Sequence, residues 1–134
     1  MTGKPGLCIG TLGPGMANIA GAIQCALVEN SPVIFLGGQR ARVTERRVRR
    51  GRIQFVQQEP LFAASVKYSS SIEYADQTDE IIHEPSARRC RAPPRAPTYV
   101  EFPSHVILEE LDVDAAPPPS AYRLVNQGAG SREV

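Results

Sequence analysis

The most chemically suggestive pattern in the chain is the turn Gly13-Pro14-Gly15, followed by Asn18. A glycine has no Cβ and lets a flat ligand ring approach the backbone closely, while proline fixes φ at the centre of the loop. A helix beginning at such a turn also offers unpaired N–H groups. The turn is therefore a candidate cofactor-binding loop. The alternative is an ordinary strand-to-helix turn in which Asn18 caps the helix.

The residues on either side of this turn predict the elements that position it. Residues 6–12 are a short apolar run between glycines, which is typical of a buried strand. Residues 16–30 are rich in alanine and predict a helix, which Pro32 ends because proline cannot continue it. Apolar side chains recur every four positions along one face of this helix: Ile19, Ile23 and Leu27.

Residues 32–36 predict a second strand, covered on both faces, because they are apolar without alternation and end at Gly37-Gly38. Strand, helix and strand in this order form a βαβ unit with a right-handed crossover. The predicted fold is therefore α/β, with a parallel sheet flanked by helices.

The rest of the chain is less regular. Residues 39–58 predict a long polar connection, 59–64 one or two helical turns, 66–72 an outer strand and 98–103 a last strand. We expect another helix to begin near Asp76 and to break early, because Pro85 disfavours helical geometry before it. The domain is predicted to span residues 1–108, and the Pro/Gly-rich residues 109–134 are predicted to be a disordered linker.

Composition excludes several classes of function. The chain has 134 residues, enough for one domain, and a formal net charge of +1, which favours neither nucleic acid nor membrane as a partner. It lacks the run of about 18 apolar residues that a membrane helix needs. An odd number of scattered cysteines indicates free thiols in a reducing cytoplasm rather than disulfides or a zinc site: Cys8, Cys25 and Cys90. His83 and His105 are isolated and are not expected to be bases or ligands.

Further segments occur with this turn in a recognisable order. Residues 11–18 and 26–34 contain the Gly-Pro-Gly turn, the asparagine, the alanine-rich helix and the strand after Pro32. They are followed by Gly38-Gln39, Gln54, Lys67-Tyr68 and Val100-Glu101-Phe102-Pro103-Ser104. Over roughly residues 2–107 this ordered set resembles the pyrimidine-binding domain of thiamine-diphosphate-dependent enzymes of the acetolactate-synthase type.

The resemblance implies a cofactor, a set of site residues and a partner. In the family this loop lies beside the aminopyrimidine of thiamine diphosphate, in a site shared between two subunits. The positions carried over to this chain are Gly13, Pro14, Gly15, Asn18 and Gln54. The partner implied is a second copy of the chain, or a complementary chain of the same family. Magnesium would be bound only through a domain that this chain does not resemble.

Departures from the family pattern limit the expected activity. The family has an activating glutamate on a strand upstream of the turn, whereas no acidic residue precedes Gly13 here. No segment resembles the domain that binds diphosphate and magnesium. We therefore predict a partial domain, incomplete at the N-terminus, without catalytic or metal-binding residues of its own and not catalytic alone. The alternative is a working half of a split lyase. Because the domain would lack its first strand, we expect a buried strand to be left unpaired and to expose apolar side chains such as Ile9 and Ile34.

Two rival sites are weaker. The pattern from Gly13 to Asn18 is close to a dinucleotide-binding fingerprint, but it lacks the third small residue and the acidic residue after the next strand. A cluster of arginines could bind nucleic acid or an anion, yet it has no interleaved aromatic residues and is more typical of a solvated loop. Its members are Arg40, Arg42, Arg46, Arg47, Arg49, Arg50 and Arg52.

The segment 85–97 departs furthest from the family pattern, because arginines and prolines replace a small-residue turn. A neighbouring reading frame of GC-rich codons could encode the expected peptide. We therefore hypothesise a local frame change that is restored before Thr98, which the codons of the gene would decide.

Overall fold

The computed structural model describes residues 5–45, 54–82 and 93–112. Its centre is a sheet of four parallel strands in the order β1-β2-β4-β3. The strands are β1 (Gly6–Gly10), β2 (Val33–Gln39), β3 (Tyr68–Ser71) and β4 (Thr98–Pro103). The predicted α/β class with a parallel sheet is confirmed, and so is the outer position of the strand predicted at 66–72.

The helices are short and connect these strands. They are α1 (Pro14–Asn18), α2 (Ala20–Val28), α3 (Arg42–Glu45), α4 (Gln58–Phe62) and α5 (Thr78–Ile81). Single 3₁₀ turns follow α4, precede α5 and follow β4: Ala63–Ser65, Ala75–Gln77 and Val106–Leu108. The helix expected to begin near Asp76 is thus present, although this residue lies inside the 3₁₀ turn before it.

The single helix predicted at 16–30 is two helices, which together begin at Pro14 and end at Val28. Pro14 is already helical. The Ile19 N–H donates to the carbonyl of Met16, three residues earlier, at 3.1 Å, and this tight turn separates α1 from α2. At the other end, Asn30 has a left-handed φ of 52° and α2 stops at Val28, before proline is reached. Of the predicted apolar face, Ile23 is fully buried, whereas Ile19 and Leu27 are half-buried.

Strand β2 continues through Gly37 and Gly38, so the prediction that these glycines end it was wrong. They pair with Glu101 and Phe102 of β4. A Cβ built on Gly37 would lie 2.5 Å from the Tyr99 hydroxyl oxygen. Glycine is therefore needed here as space for an aromatic ring that packs across the sheet, not as a terminator.

Two cores lie on opposite faces of the sheet, since alternate side chains of a strand point to opposite sides. The first core packs α1, α2 and α4 against β2 and β4, and its rings of Phe62 and Tyr99 are 5.0 Å apart at 58°. Its members are Met16, Ile23, Ala26, Phe35, Phe62 and Tyr99. The second core, under α5 and the last 3₁₀ turn, consists of Ile72, Ala75, Val100 and Val106.

The first strand is present but is not buried as predicted, because among the described residues it is an edge strand that pairs only with β2. Leu7 and Ile9 are 62% and 64% exposed, which agrees with the expected exposure of Ile9. Ile34 is buried instead, at 6% exposure, because β2 lies inside the sheet between β1 and β4. Ile9 also lines an apolar groove of about 290 Å³ together with Leu36, Ile72, Thr78, Ile82, Phe102, Val106 and Ile107.

Several predictions fall outside the described residues. These are Pro85, His83, Cys90, most of the segment 85–97 and residues 113–134. Most of the arginine cluster also lies there: Arg46, Arg47, Arg49, Arg50 and Arg52. Within the described ranges, no helix is long and apolar enough to cross a membrane, and no three His, Cys, Asp or Glu side chains come together as metal ligands.

Candidate functional site

The Gly13-Pro14-Gly15 turn lies at the carboxyl end of β1 and leads directly into α1. Gly13 has a φ of +57° and a ψ of −109°, a conformation in which an L side chain is strained, and Pro14 is the first helical residue. The Gly13 carbonyl accepts a bond from the Ala17 N–H at 2.9 Å. The sequence therefore shapes this turn through one glycine with positive φ and one proline with the φ of a helix.

Gln54 lies against this turn, although it is distant in the sequence. Its φ of 60° is left-handed, and a Cβ built on Gly13 would lie only 1.9 Å from the Gln54 carbonyl oxygen. The backbone of one residue thus packs directly on the Cα of the other. The structure brings together these two positions predicted from the family pattern, and the absence of a side chain at Gly13 is what permits the contact.

The remaining predicted positions surround the turn. Pro14 is exposed and Gly15 is half-buried against Thr11, whose Cγ2 would lie 2.4 Å from a Cβ at Gly15. Asn18 is exposed and is the last residue of α1. It does not cap a helix, since neither α1 nor α2 has a side-chain cap. The alternative in which Asn18 only caps the helix is therefore wrong.

A buried glutamine that the sequence did not reveal holds the turn. Gln58, the first residue of α4, is fully buried, and its Oε1 accepts a bond from the Gly13 N–H at 2.9 Å. Its Nε2 donates to the Gly38 carbonyl at 2.9 Å. One side chain therefore links the turn after β1 to the end of β2.

Glu101 of β4 is the second polar residue that the sequence did not reveal as part of the site. Its Oε1 accepts bonds from the Tyr99 hydroxyl at 3.1 Å and from the Nε2 atoms of Gln58 and Gln39 at 3.4 Å each. The segment around Glu101 was noted as a family motif, but its side chain could be placed only by the alternation that puts residues 99 and 101 on one face of β4.

Burial dominates the electrostatics of this carboxyl. Loss of solvent raises the pKa of Glu101, and the charge of Glu59 raises it further, whereas the hydrogen bonds from Tyr99, Gln58 and Gln39 lower it. Burial, followed by the charge of Glu101, also raises the pKa of Tyr99 strongly. Desolvation thus outweighs these hydrogen bonds and shifts the carboxyl toward its protonated form, because burial penalises the charge.

The arrangement is suited to binding. The exposed amides of Asn18 and Gln54 lie at the turn and can each donate and accept hydrogen bonds. The carboxyl of Glu101 is buried and reaches the turn through Gln58. The turn therefore offers neutral amide donors and acceptors, the groups that a polar-edged ring can bond.

Comparison with known proteins agrees with this geometry. Residues 1–65 match the family described as thiamine pyrophosphate enzyme, N-terminal TPP binding domain. The chain belongs to the thiamine pyrophosphate enzyme family. It is 32% identical over 124 residues to a probable acetolactate synthase large subunit of Methanococcus aeolicus, covering 92% of this chain and 20% of that protein.

Two other relatives match the chain over a similar length. The 2-hydroxyacyl-CoA lyase 2 of Mus musculus is 30% identical over 114 residues, which cover 85% of this chain and 17% of the relative. The acetolactate synthase of Bacillus subtilis is 31% identical over 109 residues, which cover 81% and 18%. The chain thus spans about a fifth of the length of the curated relatives it matches.

Proposed function

We propose that the chain forms the pyrimidine side of a thiamine diphosphate site, through Gly13, Pro14, Gly15, Asn18 and Gln54. The observation that carries the proposal is the contact between Gly13 and the Gln54 carbonyl. Two positions far apart in the sequence, both carried over from the family pattern, meet at the carboxyl end of a parallel sheet. Ligands of open α/β sheets bind at this edge.

The chemistry would belong to the cofactor, whose reactive carbon adds to carbonyl substrates when it is bound. The residues of this chain bind and orient it. Gly13 makes room for the Gln54 backbone and Gly15 for the Thr11 side chain, Pro14 fixes the turn, and the amides of Asn18 and Gln54 offer donors and acceptors to the ring edge. We assign no catalytic residue and no magnesium ligand to the chain, and propose that the diphosphate and its magnesium are bound elsewhere.

The reaction we propose for the complete enzyme is that of an acetolactate synthase-like decarboxylase and carboligase, to which this chain contributes part of the N-terminal domain and is not catalytic alone. A working half of a split thiamine diphosphate lyase is the second candidate, because several relatives are 2-hydroxyacyl-CoA lyases. The free thiols of Cys8 and Cys25 support a cytoplasmic location.

The third candidate, anion or nucleic-acid binding by the arginine cluster, has less support. Of its members, Arg42 donates to Glu73 in an ion pair of 2.9 Å and to the Ser71 hydroxyl at 3.3 Å. These contacts tie α3 to β3 and its following loop. This guanidinium is thus engaged within the chain itself, which leaves it less available to an external anion.

We propose that the partner is a second copy of the chain or a complementary chain of the same family. The support is the exposed apolar edge of the sheet, where Leu7 and Ile9 project from β1 beside the apolar groove. Exposed apolar residues on an unpaired edge strand favour association. A partner that covers Leu7 and Ile9 would bury this exposed apolar surface.

Calorimetry of the purified 134-residue chain with thiamine diphosphate and magnesium tests the proposal. We expect saturable binding that is weakened by Asn18→Ala, because this exposed amide is proposed to bond the ring edge. Titration with inorganic pyrophosphate and magnesium is the control. Equal affinity for both ligands would favour the arginine cluster, and no binding of either would contradict the proposal for the chain on its own.

A further inference from the structure

Three polar side chains lie buried between the candidate turn and the sheet. Gln58 is 0% exposed, Gln39 is 4% and Glu101 is 7%. Burial of polar groups is unfavourable unless they are hydrogen-bonded, so their bonds are expected to be specific. Each of the three comes from a different element: α4, the end of β2 and β4.

Both glutamines use their amide nitrogens twice. Gln58 Nε2 donates to the Gly38 carbonyl at 2.9 Å and to Glu101 Oε1 at 3.4 Å. Gln39 Nε2 donates to the Val56 carbonyl at 3.1 Å and to Glu101 Oε1 at 3.4 Å. The nitrogen ends of both amides therefore point toward the same carboxyl oxygen.

The opposite ends of these amides act on the backbone. Gln58 Oε1 accepts the Gly13 N–H at 2.9 Å, and Gln39 Oε1 accepts the Arg40 N–H at 2.9 Å. A glutamine amide can rotate by half a turn and exchange its donor and acceptor ends. An acceptor at Glu101 opposes that rotation, because the rotated amide would direct an oxygen at the carboxyl oxygen and an N–H group at the Gly13 N–H.

We propose that Glu101 is a positioning residue for the turn: it orients Gln58 to hold the Gly13 N–H and Gln39 to hold the Val56 carbonyl, and so seats residues 54–58 on the turn. The carboxyl reaches the turn only through Gln58. Gln39 holds residues 54–58 through its bond to the Val56 carbonyl. The inference concerns the same site as the proposed function and rests on it for the identity of the ligand.

The first test uses amide hydrogen exchange of the full chain, followed by NMR, and requires no ligand. Glu101→Met and Gln58→Met keep the side-chain volume but remove the acceptor or the amide. Each is expected to speed exchange at Gly13 by about tenfold relative to Ile23, whose N–H bonds within the helical segment to Ile19. Glu101→Gln, which retains an acceptor oxygen, is expected to preserve most of the protection at Gly13.

Gln24→Met is the matched control. Gln24 also hydrogen-bonds across the fold, to Ser65, but its bond does not reach the turn. This variant should leave the ratio of exchange at Gly13 and Ile23 unchanged. A purely structural role for Glu101 would speed both amides in proportion, and that result would overturn the inference. If Glu101→Met does not fold, Glu101→Asp takes its place: its shorter side chain withdraws the acceptor from Gln58 Nε2, and unchanged exchange at Gly13 in this variant would overturn the inference.

The second test measures binding of thiamine diphosphate with magnesium to the same variants. Glu101→Met is expected to weaken binding about tenfold and Glu101→Gln much less. Absence of binding to the unmodified chain, with selective loss of Gly13 protection in Glu101→Met, would refute the proposed function and leave the positioning role standing. Normal binding and unchanged exchange in Glu101→Met would refute the positioning role alone.

Discussion

A pair of glycine-to-alanine substitutions separates a glycine required by the turn from one that is not. Gly13→Ala places a side chain where φ is +57° and where a Cβ would lie 1.9 Å from the Gln54 carbonyl oxygen. Gly21→Ala places the same methyl group inside α2, where nothing lies within 4 Å. Both changes restrict the unfolded chain equally, so the difference between them reports on the folded state.

The magnitudes follow from these two environments. A non-glycine residue in so sparsely populated a conformation costs about 1–3 kcal/mol, before the displacement of Gln54 is counted. Gly21 lies in the first turn of α2, where alanine is more stabilising than glycine by up to roughly 0.5–1 kcal/mol, the difference for a helix interior. We therefore expect Gly21→Ala to raise the free energy of unfolding, Gly13→Ala to lower it, and the two variants to differ by at least about 2 kcal/mol.

Urea denaturation followed by circular dichroism measures both changes. A difference of about 2 kcal/mol separates the midpoints by roughly 1 M or more for a domain of this size. Equal midpoints, or a Gly13→Ala variant as stable as Gly21→Ala, would refute the strained turn and its contact with Gln54. The same pair should also differ in binding of thiamine diphosphate, since only one of the two glycines lies in the proposed site.

Three further outcomes are expected. The negative charge of Glu29, followed by its hydrogen bond to the thiol, raises the pKa of Cys25, so Glu29→Gln should speed the reaction of this exposed thiol with an alkylating reagent near neutral pH. Burial raises the pKa of Glu101, so the folded chain keeps this proton to higher pH than the unfolded chain. The bound proton stabilises the folded chain fully at pH values below the ordinary glutamate pKa, and this stabilisation is lost as pH rises through the raised pKa of Glu101. In urea titrations the free energy of unfolding should therefore fall less with rising pH for Glu101→Gln than for the unmodified chain. Ile9→Lys should reduce self-association in sedimentation velocity, whereas Val28→Lys, which replaces an even more exposed apolar residue on α2, should not.

The sequence predicted the elements whose signals are local. The β-branched run at the second strand, the strand at 98–103 and the proline-led helical turns near Pro60 all follow from residue types within a few positions. The parallel direction of the strands was also predicted, because a strand, a helix and a second strand joined by short connections leave few other arrangements. These parts of the fold do not depend on distant partners.

The errors arose where a distant side chain decides the local structure. Gly37 was interpreted as the end of a strand, but the ring of Tyr99 occupies the space that a side chain would need. Gln58 and Glu101 appear in the sequence as ordinary polar residues. They are buried because three elements pack together at the turn, and the sequence pattern of neither segment predicts that packing. Gln54 was identified by family order, whereas its left-handed backbone was not foreseen.

The position of the turn suggests one last expectation. Gly13 follows the most exposed strand of the sheet, yet its N–H is held by Gln58, which is anchored on the interior strands β2 and β4. The edge and the turn thus depend on different contacts. We expect higher protein concentration, by covering Leu7 and Ile9, to slow amide exchange at Gly6, which bonds to the Pro32 carbonyl at 2.9 Å, while exchange at Gly13 stays constant. Parallel slowing at both amides would show that the turn takes its order from the edge of the sheet rather than from the buried polar network.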